Sequence, residues 1–290
     1  MDVHRTDDER FRDLPGWPYE PRYAEVDGLR VHYVDEGEGR PIVCFHGEPD
    51  WGYLYRKMIG PLVDAGYRVI CPDLPGFGRS DKPTDRDWYS YDRHSRAMDG
   101  LLDGLDLHDA VVVGGDWGGP IGLRWAVEHE DQVGALVVLN TGLFTGQVSK
   151  GFMAWRSFAA DNPDLPIGMV MQGATTTELP DDVIAAYEAP FPTAESKAGA
   201  AMFPLLVPTD EQDPSAETMR RVSDRLAEWA KPALVCFSDS DPVFPHPQAG
   251  QQFVDLIPTA GPQTTIEGAS HFVQEDRGEQ VADHIIEFLS

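Results

Sequence analysis

Short apolar runs alternate with amphipathic segments along most of this 290-residue chain. The runs at 30–35, 41–45, 67–72, 110–114 and 135–140 are rich in Val, Ile and Leu, and turn formers or charged residues bound them. They read as buried strands. Between them, the segments near 52–64, 91–106 and 117–129 carry apolar residues at helical spacing. Strand and helix in alternation predict a mostly parallel sheet with crossover helices. The start differs: 23–35 predicts an antiparallel pair turning at Asp27-Gly28, because Asp-Gly suits a turn with positive φ at both central residues.

The alternation stops after Asn140. From about 142 to 228 the chain is helical in flavour, with Pro, Ala, Met and acidic residues but no strong strand. It resumes at 232–237 and 262–266, followed by a helix at 278–289. The pattern predicts an α/β core of residues 1–141 and 229–290, and an inserted helical cap of residues 142–228. In open α/β sheets, ligands bind beyond the carboxyl ends of the strands, so such a cap would cover the site and exclude water.

Composition narrows the class. With 41% apolar and 25% charged residues, the chain reads as a soluble globular protein. No run approaches the roughly 18 apolar residues a membrane span needs, and MDVHRTDDERFRDLPGW lacks the apolar stretch of a signal peptide. A cytoplasmic enzyme with no membrane partner is expected. Cys44, Cys71 and Cys236 fall in strand-like runs and read as buried thiols. The histidines are dispersed, so no metal site is expected. The charge is −26, from 49 acidic and 23 basic residues, which argues against a nucleic-acid partner. Two readings of that charge stand side by side: an ordinary solvated acidic surface, or adaptation to high salt, where screening removes the self-repulsion.

Gly114-x-Asp116-x-Gly118, in GGDWGG, has the strand–turn–helix context of a nucleophile elbow, with Asp in the place of Ser. The same pattern would also suit a helix N-cap, where Asp is favoured. Two distant segments add weight. SDSDPVFP (238–245) follows one strand, and GASHFVQED (268–276) follows the next and presents His271 on a loop. The order Asp116, Asp241, His271 is nucleophile, acid, histidine. Asp239 competes for the acid role, although it also suits a turn cap.

At this point the chain resembles the haloalkane dehalogenases of the α/β-hydrolase superfamily. The resemblance runs from about residue 12 to the C-terminus. It rests on HGEPDWGYLYRKM (46–58), DLPGFGRSDKP (73–83), GDWGG (115–119), GFMAW (151–155), APFP (189–192), MFPLLV (202–207) and GASHFVQE (268–275). It implies the α/β-hydrolase fold and a reaction without cofactor, in which a small haloalkane and water give an alcohol, a halide ion and a proton. Asp116 would attack the halogen-bearing carbon and form an alkyl ester. His271 would activate water to hydrolyse that ester, with Asp241 orienting it. The backbone N–H groups of Glu48 and Trp117 would form the oxyanion hole. Indole N–H groups of Trp117 and Trp155 would hold the halide, which suits a neutral donor on an apolar body. Phe144, Phe152, Phe203, Pro204 and Val207 would line the pocket. Pro120 departs from the phenylalanine of some relatives and implies a different pocket near the nucleophile. The oligomeric state stays open.

Rival readings differ in what they demand. An epoxide hydrolase needs acids from the cap, usually two tyrosines, and 142–228 holds one, Tyr187. A fluoroacetate dehalogenase would place arginine beside the nucleophile, but no arginine follows Asp116 before Arg124. A non-catalytic α/β-hydrolase relative would be expected to lack a triad member.

Overall fold

The chain enters its main sheet through a hairpin. In the computed structural model, which describes residues 2–146 and 148–290, β1 (Arg22–Val26) pairs antiparallel with β2 (Leu29–Glu36). The turn residues Asp27 and Gly28 both take positive φ, 51° and 77°, as the dipeptide requires. Strands and helices then alternate: β3 (Arg40–Phe45), α1 (Arg56–Asp64), β4 (Tyr67–Pro72), α2 (Tyr91–Leu102), β5 (Ala110–Gly114), α3 (Gly118–Glu128) and β6 (Val133–Leu139). Five helices follow: α4 (Lys150–Asp161), α5 (Ile167–Gly173), α6 (Asp181–Glu188), α7 (Ala198–Leu206) and α8 (Pro214–Leu226). The chain returns through β7 (Ala233–Ser238), α9 (Gln248–Leu256), β8 (Thr264–Ile266) and α10 (Val273–Leu289).

The eight strands lie in the order β8-β7-β6-β5-β3-β4-β2-β1. All neighbours from β4 to β8 pair parallel, and β2 joins β4 antiparallel. A parallel strand buried on both faces must be apolar along its whole length. β5, AVVVG, is buried at every position. Its register against β3 (Phe45↔Gly114) and β6 (Gly114↔Val138) brings the carboxyl ends of these strands to one edge.

The helices between β6 and β7 begin on local caps. Ser149 accepts the Phe152 N–H ahead of α4, and Asp213 accepts the Ser215 N–H ahead of α8, with Pro214 at the first helical position. The structure departs from the sequence pattern at some ends. The helix expected at 52–64 starts as a tight turn, Gly52–Tyr55, before α1. The last helix starts at Val273 and is kinked at Arg277. α9 and a short antiparallel pair, Val3–His4 with Lys82–Pro83, were not anticipated. All three cysteines are free and buried.

Candidate active site

Between Gly114, which ends β5, and Gly118, which begins α3, the chain must reverse sharply. Asp116 occupies that reversal with φ 48°, a left-handed conformation that a non-glycine residue keeps only under constraint. Its N–H donates to the Asn140 carbonyl at 2.9 Å, and its carbonyl accepts from Thr141 Oγ1 at 2.6 Å. Close approach explains two of the glycines. A Cβ on Gly118 would stand 1.9 Å from the Phe45 carbonyl oxygen, and one on Gly47 would stand 2.5 Å from Asp116 Cβ.

The Asp116 carboxylate meets two groups. Oδ1 accepts the Glu48 N–H at 2.9 Å, and Oδ2 lies 3.3 Å from His271 Nε2. His271 sits on the loop between β8 and α10, with its ring stacked on Phe244. Its Nδ1 lies 2.9 Å from Asp241 Oδ2, while Asp241 Oδ1 accepts the N–H groups of Val243 and Phe244. Asp239 points elsewhere, accepting the Gly268 N–H at 3.1 Å on the surface. Of the two expected backbone donors, the Glu48 N–H is the one in contact with Asp116.

Asn140 was missed by the sequence reading. Its amide nitrogen donates to Ser238 Oγ (2.7 Å) and the His271 carbonyl (3.0 Å), and its Oδ1 accepts the Ser238 N–H. Asn140 thus ties three segments together: its backbone carbonyl holds the elbow, and its side chain joins the end of β7 to the histidine loop. A polar residue closing the otherwise apolar run 135–140 was the available signal.

The electrostatics follow from burial and crowding. Burial opposes charge on His271, but the Asp241 carboxylate and the bond to Asp116 outweigh it and hold the imidazole well above its usual range. The Glu48 carboxyl is raised well above the usual carboxylate range by burial, and further by Asp116 and Asp50. Burial and the Asp116 charge push Asp50 up to about 8.

Above Asp116 opens a cavity of about 290 Å³, close to the size of small-ligand sites. Trp117, Trp155, Phe144, Phe152, Pro204 and Val207 line it, together with Glu48, Asp116 and His271. Among the described residues, no lysine or arginine lines it. Trp117 is wedged between Phe144 and Phe203, and Trp155 stacks on Phe158.

Two expectations need correction. Phe203 is fully buried and lies behind Trp117, packed on Phe77 and His94, because α7 turns it toward the core. Pro120 is also off the wall, buried in α3 with its carbonyl bonded to Tyr91 Oη. Met169, Val170 and Gly173 of α5, and Pro242 and Val243 of the loop after β7, line the cavity without having been anticipated. Tyr187 points away from it, with its hydroxyl bonded to Glu275 beside Arg56. Among the described residues, no group of His, Cys, Asp or Glu is placed to hold a metal ion, and no helix is long and apolar enough to cross a membrane.

Comparison with known proteins agrees with this fold. A family model for the alpha/beta hydrolase fold matches residues 40–278. A haloalkane dehalogenase of Psychrobacter cryohalolentis is 45% identical, with 100% of this chain and 98% of the relative covered. Haloalkane dehalogenase 1 of Mycobacterium tuberculosis is also 45% identical, over 99% of this chain and 98% of its own. Among solved structures, the tetrameric haloalkane dehalogenase DpaA of Paraglaciecola agarilytica superposes with a TM-score of 0.93 at 34% identity, covering 98% of this chain and 97% of that one.

Proposed function

This chain belongs to the haloalkane dehalogenase family of α/β hydrolases, and we propose that its hydrolysis of haloalkanes runs through an alkyl ester on Asp116. The overall reaction takes a haloalkane and water to an alcohol, a halide ion and a proton. One observation carries the proposed route: an aspartate on a strained elbow, faced by His271 at 3.3 Å, under a cavity walled by two tryptophans and, among the described residues, no lysine or arginine.

A carboxylate is already charged at neutral pH, so the first step needs no base. One Asp116 oxygen bonds to carbon as the carbon–halogen bond breaks, and the electron pair leaves with the halide. A halide released into an apolar cavity must find donors. The indoles of Trp117 and Trp155 are the neutral donors on the wall, and burial, with Asp116 and Asp50, raises the Glu48 carboxyl well above the usual carboxylate range, which disfavours an opposing charge there.

Esterification also changes His271. In the free enzyme, Asp116 helps to keep the imidazole protonated. Once Asp116 is an ester, that charge is gone and the imidazole releases its proton more readily. Neutral His271 then takes a proton from water, and the hydroxide adds to the ester carbonyl. The Glu48 N–H steadies the oxyanion. Collapse breaks the bond between the ester carbonyl carbon and the alkoxy oxygen; the departing alkoxide takes the proton of the hydroxyl just added, so the alcohol leaves, Asp116 returns as a carboxylate and His271 is again protonated as in the free enzyme. Residues 142–228 act as the cap that keeps bulk water out; Trp155, Met169 and Pro204 on its helices supply cavity wall.

The test is proton and halide release from short bromo- and chloroalkanes, with an epoxide control and Asp116→Ala. Halide release by the wild type that is lost in the variant supports the reading. Epoxide turnover without halide release would overturn it, and would require a cap acid other than Tyr187.

A further inference from the structure

The turn after β3, Gly47-Glu48-Pro49-Asp50, contributes more than one backbone donor. Asp50 is wholly buried, and its Oδ2 accepts the Gly47 N–H at 3.3 Å. The next N–H along, that of Glu48, is the one donated to Asp116. The Asp50 side chain therefore closes the loop that aims this donor at the nucleophile. Its Oδ1 and Glu48 Oε1 are both buried without a hydrogen-bond partner among the described residues. An ionised carboxylate would not be left in that condition, whereas a neutral acid tolerates it at lower cost.

We propose that Asp50 is a positioning residue: its carboxyl holds the turn that presents the Glu48 N–H to Asp116, and its ionisation sets the alkaline limit of turnover. The inference rests on Asp116 being the nucleophile.

The groups around Asp50 are mostly acidic or neutral. Glu48 shares its turn, Asp116 faces it from the elbow and His271 from the loop before α10. Tyr55 precedes α1, and Tyr187 reaches in from α6. Arg56 is nearby on α1, but it is already paired with Glu275 of α10 at 2.7 Å. That leaves His271 as the cation in this group.

The reaction builds negative charge beside this turn twice. The halide is expelled into the cavity, and an oxyanion forms on the ester as hydroxide adds, facing the Glu48 N–H. A second carboxylate fixed in the same turn opposes both events in a poorly screened interior. Asp50 gains and loses no proton in the cycle; it has only to remain neutral throughout. Its carboxyl, pushed up to about 8, is neutral at pH 7 and ionises a little above it. Because the ester lacks the Asp116 charge, the intermediate is the state in which Asp50 ionises most readily. The limit should therefore show in kcat more than in kcat/KM.

The experiment is the pH profile of kcat for halide release from a bromoalkane, for wild type, Asp50→Asn, Asp50→Ser and Asp50→Val. Asn and Ser retain an acceptor for the Gly47 N–H and carry no ionisable proton; Val lacks the acceptor. The alkaline limb of kcat in wild type is expected below about 8, the value Asp50 takes beside a charged Asp116, and it should move up by roughly one unit or more in Asn and Ser. Val should lose kcat by roughly tenfold across the whole range. An alkaline limb shared by wild type, Asn and Ser, or a Val variant as active as Asn, overturns the proposal. If Asn does not fold, Ser carries the comparison, and circular dichroism over the same pH range separates unfolding from loss of kcat. Failure of the nucleophile reading would appear separately, as neutral-pH halide release that survives Asp116→Ala.

Discussion

Replacing Trp155 by phenylalanine removes one N–H from the cavity wall and little else. Trp155 is stacked on Phe158 at 25° between ring planes, a contact that a phenylalanine ring retains in part. The other donor has little freedom to compensate, because Trp117 is held among Tyr91, Phe144 and Phe203. Among the described residues, no lysine or arginine lines the cavity to take over. A hydrogen bond to a charged group is worth about 1.5–3 kcal/mol. At about 1.4 kcal/mol per tenfold, the variant should bind bromide about 10- to 150-fold more weakly. The same loss should fall on kcat/KM, since the halide is already leaving in the first transition state. Halide titration followed by tryptophan fluorescence gives the first number, and initial rates with a bromoalkane give the second. A variant within twofold of wild type in both would refute the assignment of Trp155 as a halide donor.

Further expectations follow from the same geometry. Asp241→Asn keeps the contact to Nδ1 but loses the charge that supports the imidazolium, so kcat should fall on the order of 100-fold or more while alkylation persists as a burst of halide. Burial opposes charge on Asp73, but the contact with His32 at 2.7 Å, with His46 and the Arg79 N–H, outweighs it and draws the carboxyl down to about 2. A depressed carboxylate stabilises the fold above its unfolded value of 3.8 and loses that contribution as pH falls toward 2. Unfolding monitored through that window should show a loss of about 2 kcal/mol that Asp73→Asn does not show. With a net charge of −26, the melting temperature should rise as KCl is added; a falling curve would remove the case for adaptation to salt.

The α/β pattern was legible because buried parallel strands leave a strong mark, and β5 reads as a strand on composition alone. Asp116 was legible because an elbow demands small neighbours, and His271 because chain order places it. The cavity wall was less so. Phe203 and Phe144 are equivalent as sequence, and only the rotation of α7 sends one behind Trp117 and leaves the other on the wall. Asp50 illustrates the opposite failure. It was not singled out in the sequence, yet Asp50 is fully buried, and burial together with the Asp116 charge pushes its carboxyl up to about 8. α9, QAGQQFVDL, has too few apolar residues for its length to announce itself.

The most direct test of the ester is mass spectrometry on His271→Gln after exposure to a bromoalkane. Without its base, the enzyme should release one equivalent of bromide and gain one alkyl group on the peptide that carries Asp116. Bromide release without an adduct, or an alkyl group on Glu48 or Asp50 in its place, would contradict the account.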